Sequence, residues 1–448
     1  MKSNSVSPAR LAAFEILRRV ADGAYASVLL ASRAEELKPQ DRSLCHELVM
    51  GVLRRQLWLD RLAERYSNRK VDDLDLAVRV VLRLGLYQLR FLSRVPASAA
   101  VNESVNLVHF ARLRSAGGFV NAILRRATRE PEVDPTSDLH DALEFLSVAT
   151  SHPAWLLERW RTAFGAAETE ALAFSNNEAA PVAFRVVNRR AQEADVCESL
   201  RQAGAELVRS KVANGAWRVT GGGSLLTELA AAGQIYLQDE ASQLVAAALD
   251  AQPGERVLDL CAAPGSKTTQ IADRSLNAAG AGAVVIASDL HEHRLRILVS
   301  AAKLQGLGNI HCLALDGLQA LPLREGVFDR VLVDAPCSGT GTLRRNPEIR
   351  WRISPADIED MRGRQTRLLA NAARAVKPGG RLIYSTCSVE PDENEAVVKT
   401  FLENHENFSL GELPLDPTLL TSSGMARTWP HRQGTDGFFI CALARKGE

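Results

Sequence analysis

Two of the seven cysteines stand in settings unlike the rest. Cys337 lies in DAPCSGTG and Cys387 in YSTCSVEPDENE. Each follows an apolar run and is surrounded by Pro, Ser, Gly or Thr, whereas a buried structural thiol sits inside such a run. The structural role suits Cys197, Cys312 and Cys441 better. The cysteines, at 45, 197, 261, 312, 337, 387 and 441, are odd in number and lack CxxC spacing. That argues against a disulfide framework and against zinc, so no metal is expected. A thiol at the end of a strand, reachable by a substrate, is the raw material of nucleophilic catalysis.

A second group of residues suits a nucleoside ligand. RVLDLCA (256–262) runs into the small-residue turn CAAPGSKTTQIA (261–272), which opens a helix. Cys261, Ala262, Ala263, Pro264, Gly265, Ser266 and Lys267 let backbone approach a ligand closely, and the helix N-terminus offers free N–H groups. Later apolar runs end in Asp289, Asp316 and Asp334. An acid at the end of the second strand is placed to accept ribose hydroxyls. GxxxxGK[ST] and GxGxxG are both absent, which disfavours a long phosphate chain. S-adenosylmethionine, a nucleoside with a reactive sulfonium, fits the pattern.

A chemistry that needs both a methyl donor and a thiol is methylation at carbon 5 of a pyrimidine. Carbon 5 of cytosine is a poor nucleophile. A thiolate that adds to carbon 6 pushes electron density onto carbon 5, dividing one hard step into two easier ones. A carboxyl group must hold the ring nitrogen and amine, and Asp334 stands beside Cys337 for this. A base must then remove the carbon 5 proton, a step the second thiol or a water beside it serves.

The elements that must position these groups follow from periodicity. Residues 8–130 repeat apolar side chains at helical spacing, as in ARLAAFEILRRV and LAVRVVLRLGLYQLRFL. TREPEVDPTSD (128–138) reads as a linker. From 254 onward short apolar runs alternate with helical stretches: 256–262, 283–290, 311–316, 328–336 and 380–387, with 436–445 last. The first five are expected to be buried and parallel. The chain is therefore expected to be multidomain. An all-α domain spans 1–135, a small mixed α/β subdomain 140–235 (with strands at 181–188 and 216–220), and a Rossmann-like catalytic domain with a mainly parallel seven-stranded sheet 236–448.

Charge divides the same way. Residues 1–130 hold 22 Lys/Arg against 13 Asp/Glu, a surplus of nine in a chain whose net charge is +1, leaving eight negative charges beyond. A basic end on a near-neutral chain suits a polyanionic partner such as nucleic acid. No apolar run reaches the roughly 20 residues of a membrane span, and MKSNSVSPAR lacks the core of a signal peptide. The sequence thus reads as a cytoplasmic protein without a membrane partner.

CAAPGSK, DAPCSGTGTLRRNPEIRW and YSTCSVEPDENEAVV resemble the RNA cytosine-5 methyltransferases of the NOL1/NOP2/Sun type. ADGAYASVLL, DRSLCHELVMGVLRRQLWLD, LRLGLYQL and VPASAAVNESVNL, with GFVNAILRR, resemble the RNA-binding helical domain of NusB. Together the two resemblances run over nearly the whole chain. They imply an S-adenosylmethionine-dependent enzyme acting on a cytosine in small-subunit ribosomal RNA. They imply that Cys387 is the nucleophile and that Cys337 releases the product, and they place the cofactor on Cys261 through Lys267, Asp289, Asp316 and Asp334. The family turn is CAAPGGK, and Ser266 replaces its second glycine; a positive φ there would strain the serine. Arg344, Arg345 and Arg350, with Arg54, Arg55, Arg125 and Arg126 of the helical domain, are the expected RNA contacts. No obligate protein partner is implied. The alternative, an RNA-binding protein with an inactive methyltransferase domain, expects a lost cysteine or aspartate, and none is missing.

Overall fold

A computed structural model describes residues 6–33 and 36–447. The first five residues, on which part of the reading of the N-terminus rests, lie outside the described residues. The chain forms two compact units, Met1–Ala179 with Leu343–Arg352, and Ala180–Thr342 with Ile353–Glu448.

The first unit is helical, and its described residues contain no strand. Pro8–Ala21, Ala26–Arg33, Pro39–Arg54, Gln56–Ser67, Leu76–Phe91, Ala97–Phe110 and Gly117–Arg129 bury their apolar stripes in one core. Asp75 starts the fifth of these by accepting the Ala77 N–H. Three further helices, Ala142–Thr150, Ala154–Phe164 and Ala166–Ser175, also belong to this unit, as does the short helix Ile349–Arg352. The division therefore falls at Ala179/Ala180, inside the 140–235 segment.

The second unit begins with an antiparallel sheet of β1 (Val182–Val186), β2 (Glu206–Arg209), β3 (Ala216–Thr220) and β4 (Ile235–Leu237), in the order β2-β3-β1-β4. The two longer strands are those the sequence announces. β2 and β4 are short, and β2 is mostly exposed, so neither carries a strong pattern.

The larger sheet contains β5 (Arg256–Asp259), β6 (Val284–Asp289), β7 (Ile310–Ala314), β8 (Phe328–Asp334), β9 (Val376–Thr386), β10 (Phe408–Leu410), β11 (Ala426–Thr428) and β12 (Phe438–Arg445). Its main path is β10-β12-β9-β8-β5-β6-β7, with β11 paired to β12. β5 through β9 pair in parallel, and β12 lies antiparallel to β9. Central strands are buried on both faces, which is why they read as continuous apolar runs. One expectation is corrected: β7 is an edge strand and mostly exposed, and Cys312 on it is exposed rather than buried. Cys197 and Cys441 are buried. No described helix is long and apolar enough to cross a membrane.

Candidate active site

Parallel pairing sends the carboxyl ends of β5, β6, β7, β8 and β9 to one rim, and the chemistry-bearing residues gather there. The turn after β5 is fastened to its neighbour. The Ala262 N–H donates to the Ser288 carbonyl at 2.7 Å, and the Ala263 N–H donates to Asp289 Oδ2 at 3.3 Å. Arg294 donates to the Ala263 carbonyl at 2.8 Å and pairs with Asp289. Pro264 is exposed at the crest.

Gly265 follows with φ +107°, and a Cβ there would sit 2.6 Å from Leu298 Cγ. Only glycine meets both constraints. Ser266 is the first residue of the helix Ser266–Arg274 and does not have a positive φ. The strain considered for it is absent, because the preceding glycine takes the unusual backbone angle.

Lys267, one residue into that helix, reaches Asp334 at the end of β8, Nζ to Oδ2 2.7 Å. Ser385 donates to the other oxygen of Asp334 at 2.8 Å. Burial works against the Lys267 ammonium, but Asp334, with Cys387 and Asp259 behind it, outweighs burial and holds its pKa above the ordinary lysine value. Lys267 thus lies in the field of Cys387 as well as of Asp334. Asp316 lies two residues past β7 and accepts the Leu318 N–H at 2.9 Å.

The two thiols meet: Cys337 Sγ and Cys387 Sγ are 3.4 Å apart. β8 and β9 are neighbours in register, Asp334 opposite Ser385, so each strand delivers its cysteine to the same spot. The Cys337 loop passes close to the Cys387 loop at Gly341, whose N–H donates to the Cys387 carbonyl at 3.0 Å. A Cβ on Gly341 would lie 2.0 Å from the Gly437 carbonyl oxygen, so no side chain fits. The hydrogen bond to Cys387, then burial and the Glu393 charge, push Cys337 well above the usual thiol range. Cys337 thus sits as a protonated thiol against its partner.

Two functional candidates escaped the sequence reading. Asp259, the last residue of β5, is buried; its Oδ2 accepts from Thr268 at 2.7 Å, while Oδ1 has no hydrogen-bond partner. Burial pushes it up to about 7. Its position at a strand end was the available signal. The other is Glu393 in the turn after Cys387, one of the acids in PDENE, whose burial nothing in the sequence marked.

The donor set fits S-adenosylmethionine. A backbone turn that admits no side chain at Gly265 lies beside the buried Asp289 carboxylate and an open buried acceptor on Asp259. That acceptor suits the ammonium of an amino-acid tail. Among the described residues no group of three or more His, Cys, Asp or Glu is arranged to hold a metal.

The arginines expected to hold RNA all lie in the helical unit. Arg350 is corrected to a structural role. It is 0% exposed and donates to the carbonyls of Thr150 and Ser151 at 3.1 Å and to Asn177 Oδ1 at 3.0 Å. Arg344 is also buried, and its carbonyl accepts from Arg54 at 2.8 Å. Neither side chain is presented to a phosphate. Arg55 lies over the Phe91 ring, 4.5 Å from its centroid, and Arg126 pairs with Glu130 at 3.1 Å. Arg125 is exposed and Arg345 half-buried.

Three family descriptions match this chain: the NusB family over residues 7–129, a ferredoxin-like domain of RsmF/B-like methyltransferases over 152–225, and the 16S rRNA methyltransferase RsmB/F over 246–444. The probable ribosomal RNA small subunit methyltransferase B of Bacillus subtilis (strain 168) is 34% identical over 458 residues, covering 100% of both chains. The ribosomal RNA small subunit methyltransferase B of Vibrio cholerae is 32% identical, covering 98% of this chain and 97% of the relative. The crystal structure of a methyltransferase homolog protein from Pyrococcus horikoshii superposes with a TM-score of 0.60 at 29% identity, over 68% of this chain and 100% of that one.

Proposed function

The chain belongs to the RsmB/F family of 16S ribosomal RNA methyltransferases, S-adenosylmethionine-dependent enzymes, and on that premise we propose that it methylates carbon 5 of a cytosine through a covalent bond between Cys387 and the pyrimidine. The observation that carries this reading is the 3.4 Å separation of Cys337 and Cys387 at the rim that holds Lys267 and Asp334.

S-adenosylmethionine supplies an electrophilic methyl group on a positively charged sulfur. The residues of this chain prepare the base to receive it. The Lys267 ammonium stabilises the Cys387 thiolate. Its sulfur adds to carbon 6, and the carbon 5–carbon 6 π electrons move toward carbon 5 and the ring nitrogen. Asp334, held by Lys267 and Ser385, accepts a hydrogen bond from the exocyclic amine, and the Lys267 ammonium beside it offsets the negative charge that develops on the ring. Once carbon 5 is methylated, its proton leaves to a water placed by Cys337. The electrons of that C–H bond restore the double bond as the sulfur–carbon 6 bond breaks. The Cys337 thiol donates a hydrogen bond to the departing Cys387 thiolate. The target base must be unpaired or flipped out for the thiols to reach it, and the exposed Arg125 and half-buried Arg345 are the remaining arginine candidates for phosphate contacts.

The test is a pair of variants incubated with unmodified small-subunit ribosomal RNA and labelled S-adenosylmethionine. Cys337→Ala accumulates a denaturation-resistant protein–RNA adduct, whereas Cys387→Ala gives neither adduct nor methylated product. Release of methylated RNA at the wild-type rate by both variants overturns the covalent mechanism.

A further inference from the structure

Glu393 takes no part in the steps above, yet its carboxylate is buried to 0% exposure in the turn Pro391–Glu393. A buried charge is costly unless its lone pairs are used. Here they are. Oε1 accepts from the Ser338 N–H at 2.8 Å and from Gln365 Nε2 at 3.0 Å. Oε2 accepts from the Ser388 hydroxyl at 2.5 Å and from the Ser338 hydroxyl. A carboxylate offers about four acceptor positions, and neutral donors fill all of them.

The identity of those donors matters. Ser338 directly follows Cys337, and Ser388 directly follows Cys387. One carboxylate therefore fastens both chains where the thiols emerge. Gln365, fully buried on the helix Pro355–Ala375, also donates to the Pro336 carbonyl at 2.9 Å, one residue before Cys337. Glu393 is itself fixed, since the Tyr384 hydroxyl donates to its carbonyl at 2.6 Å. Asn394 closes the arrangement by accepting from Thr386 at 2.6 Å and donating to the Ser388 carbonyl at 2.9 Å.

We infer that Glu393 is a positioning residue, which sets the spacing of the two thiols and divides their roles between attack and release. The inference rests on the two-thiol reading above. Its second effect is electrostatic. The titratable groups facing Cys337 are Cys387 and Tyr384, from the end of β9 and from β9 itself, and Glu393 from the following turn. The fixed negative charge of Glu393 opposes ionisation of Cys337. Cys387, for its part, lies in the field of the Lys267 ammonium.

The experiment uses the full chain, reduced, with Glu393→Gln and Ser388→Ala. Alkylation of Cys337 by iodoacetamide is followed against pH by peptide mass, and methyl transfer is followed on unmodified small-subunit ribosomal RNA. In E393Q the Cys337 alkylation profile moves to lower pH, and methyl transfer falls by about a hundredfold, the scale of a displacement of about 1 Å at the reacting groups. The affinity for S-adenosylmethionine stays within about twofold. In S388A methyl transfer falls several-fold with the alkylation profile unmoved. An unchanged alkylation profile in E393Q, with or without a lost rate, overturns the inference. Should E393Q not fold, wild-type methyl transfer by S388A overturns it. If the Cys337→Ala trap fails, the covalent mechanism falls, while the alkylation profile of the free enzyme still reports on Glu393.

Discussion

Lys267 Nζ lies 2.7 Å from Asp334 Oδ2, so the helix after the cofactor turn is tied directly to the strand that carries Cys337. Lys267→Met removes the cation beside both Asp334 and Cys387. Methyl transfer is expected to fall by about a hundredfold or more, as when a preorganised charge is lost from an active site. Alkylation of Cys387 at neutral pH slows in parallel. A rate within threefold of wild type would refute the role given to Lys267.

Asp259 makes the fold sensitive to pH. Burial raises its pKa from the ordinary carboxylate range to about 7 in the folded chain. The folded state then holds the proton more tightly than the unfolded one. The stability this gives is complete below about pH 4 and is lost as pH rises through about 7, up to about 4 kcal/mol. Asp259→Asn should flatten the dependence of the thermal midpoint on pH across that window. A slope equal to that of the wild type would show that the group is not protonated as described.

The cofactor turn offers a paired test. Ser266→Gly places the family residue at a helical position with no positive φ to relieve, so calorimetry should find S-adenosylmethionine affinity within about twofold of wild type. Gly265→Ala adds a Cβ 2.6 Å from Leu298 Cγ at φ +107°. That variant should lose cofactor binding. Equal affinities for the two variants would contradict the assignment of the backbone angle to Gly265.

Arg350→Met tests the structural role of a buried arginine. The change strands the Ser151 carbonyl and Asn177 Oδ1, and removes one of the donors to the Thr150 carbonyl, which keeps Asn177 Nδ2. The expected cost is about 3 kcal/mol, a fall of roughly 10 °C in the thermal midpoint of a unit this size. The salt dependence of RNA binding should not change, because no phosphate contact is removed. A reduced salt slope with an unchanged midpoint would restore Arg350 to the RNA surface.

The sequence alone marked β1, β3, β5 to β9 and β12, the parallel character of β5 to β9, and the rim where ligands meet them, but not the short strands β2, β4, β10 and β11. Continuous apolar runs and strand-end acids are local signals, and Asp289, Asp334, Cys337 and Cys387 carry them directly. The apolar run at 311–316 marked a strand but not its place at the sheet edge, which depends on what lies alongside, so Cys312 was misjudged. Arg350 looked like a surface cation beside Arg344 and Arg345 because charge is visible in sequence and burial is not. The carboxylates after Cys387 posed the same difficulty, since solvated and buried acids are spelled alike. Only the tertiary structure selected Glu393 among them, by bringing Ser338 and Gln365 to it from 55 and 28 positions away in the chain. It likewise set the 3.4 Å between the thiols, which are 50 residues apart. Hydrophobic patterning fixes which strands form, while such distances depend on how side chains far apart in sequence pack and pair.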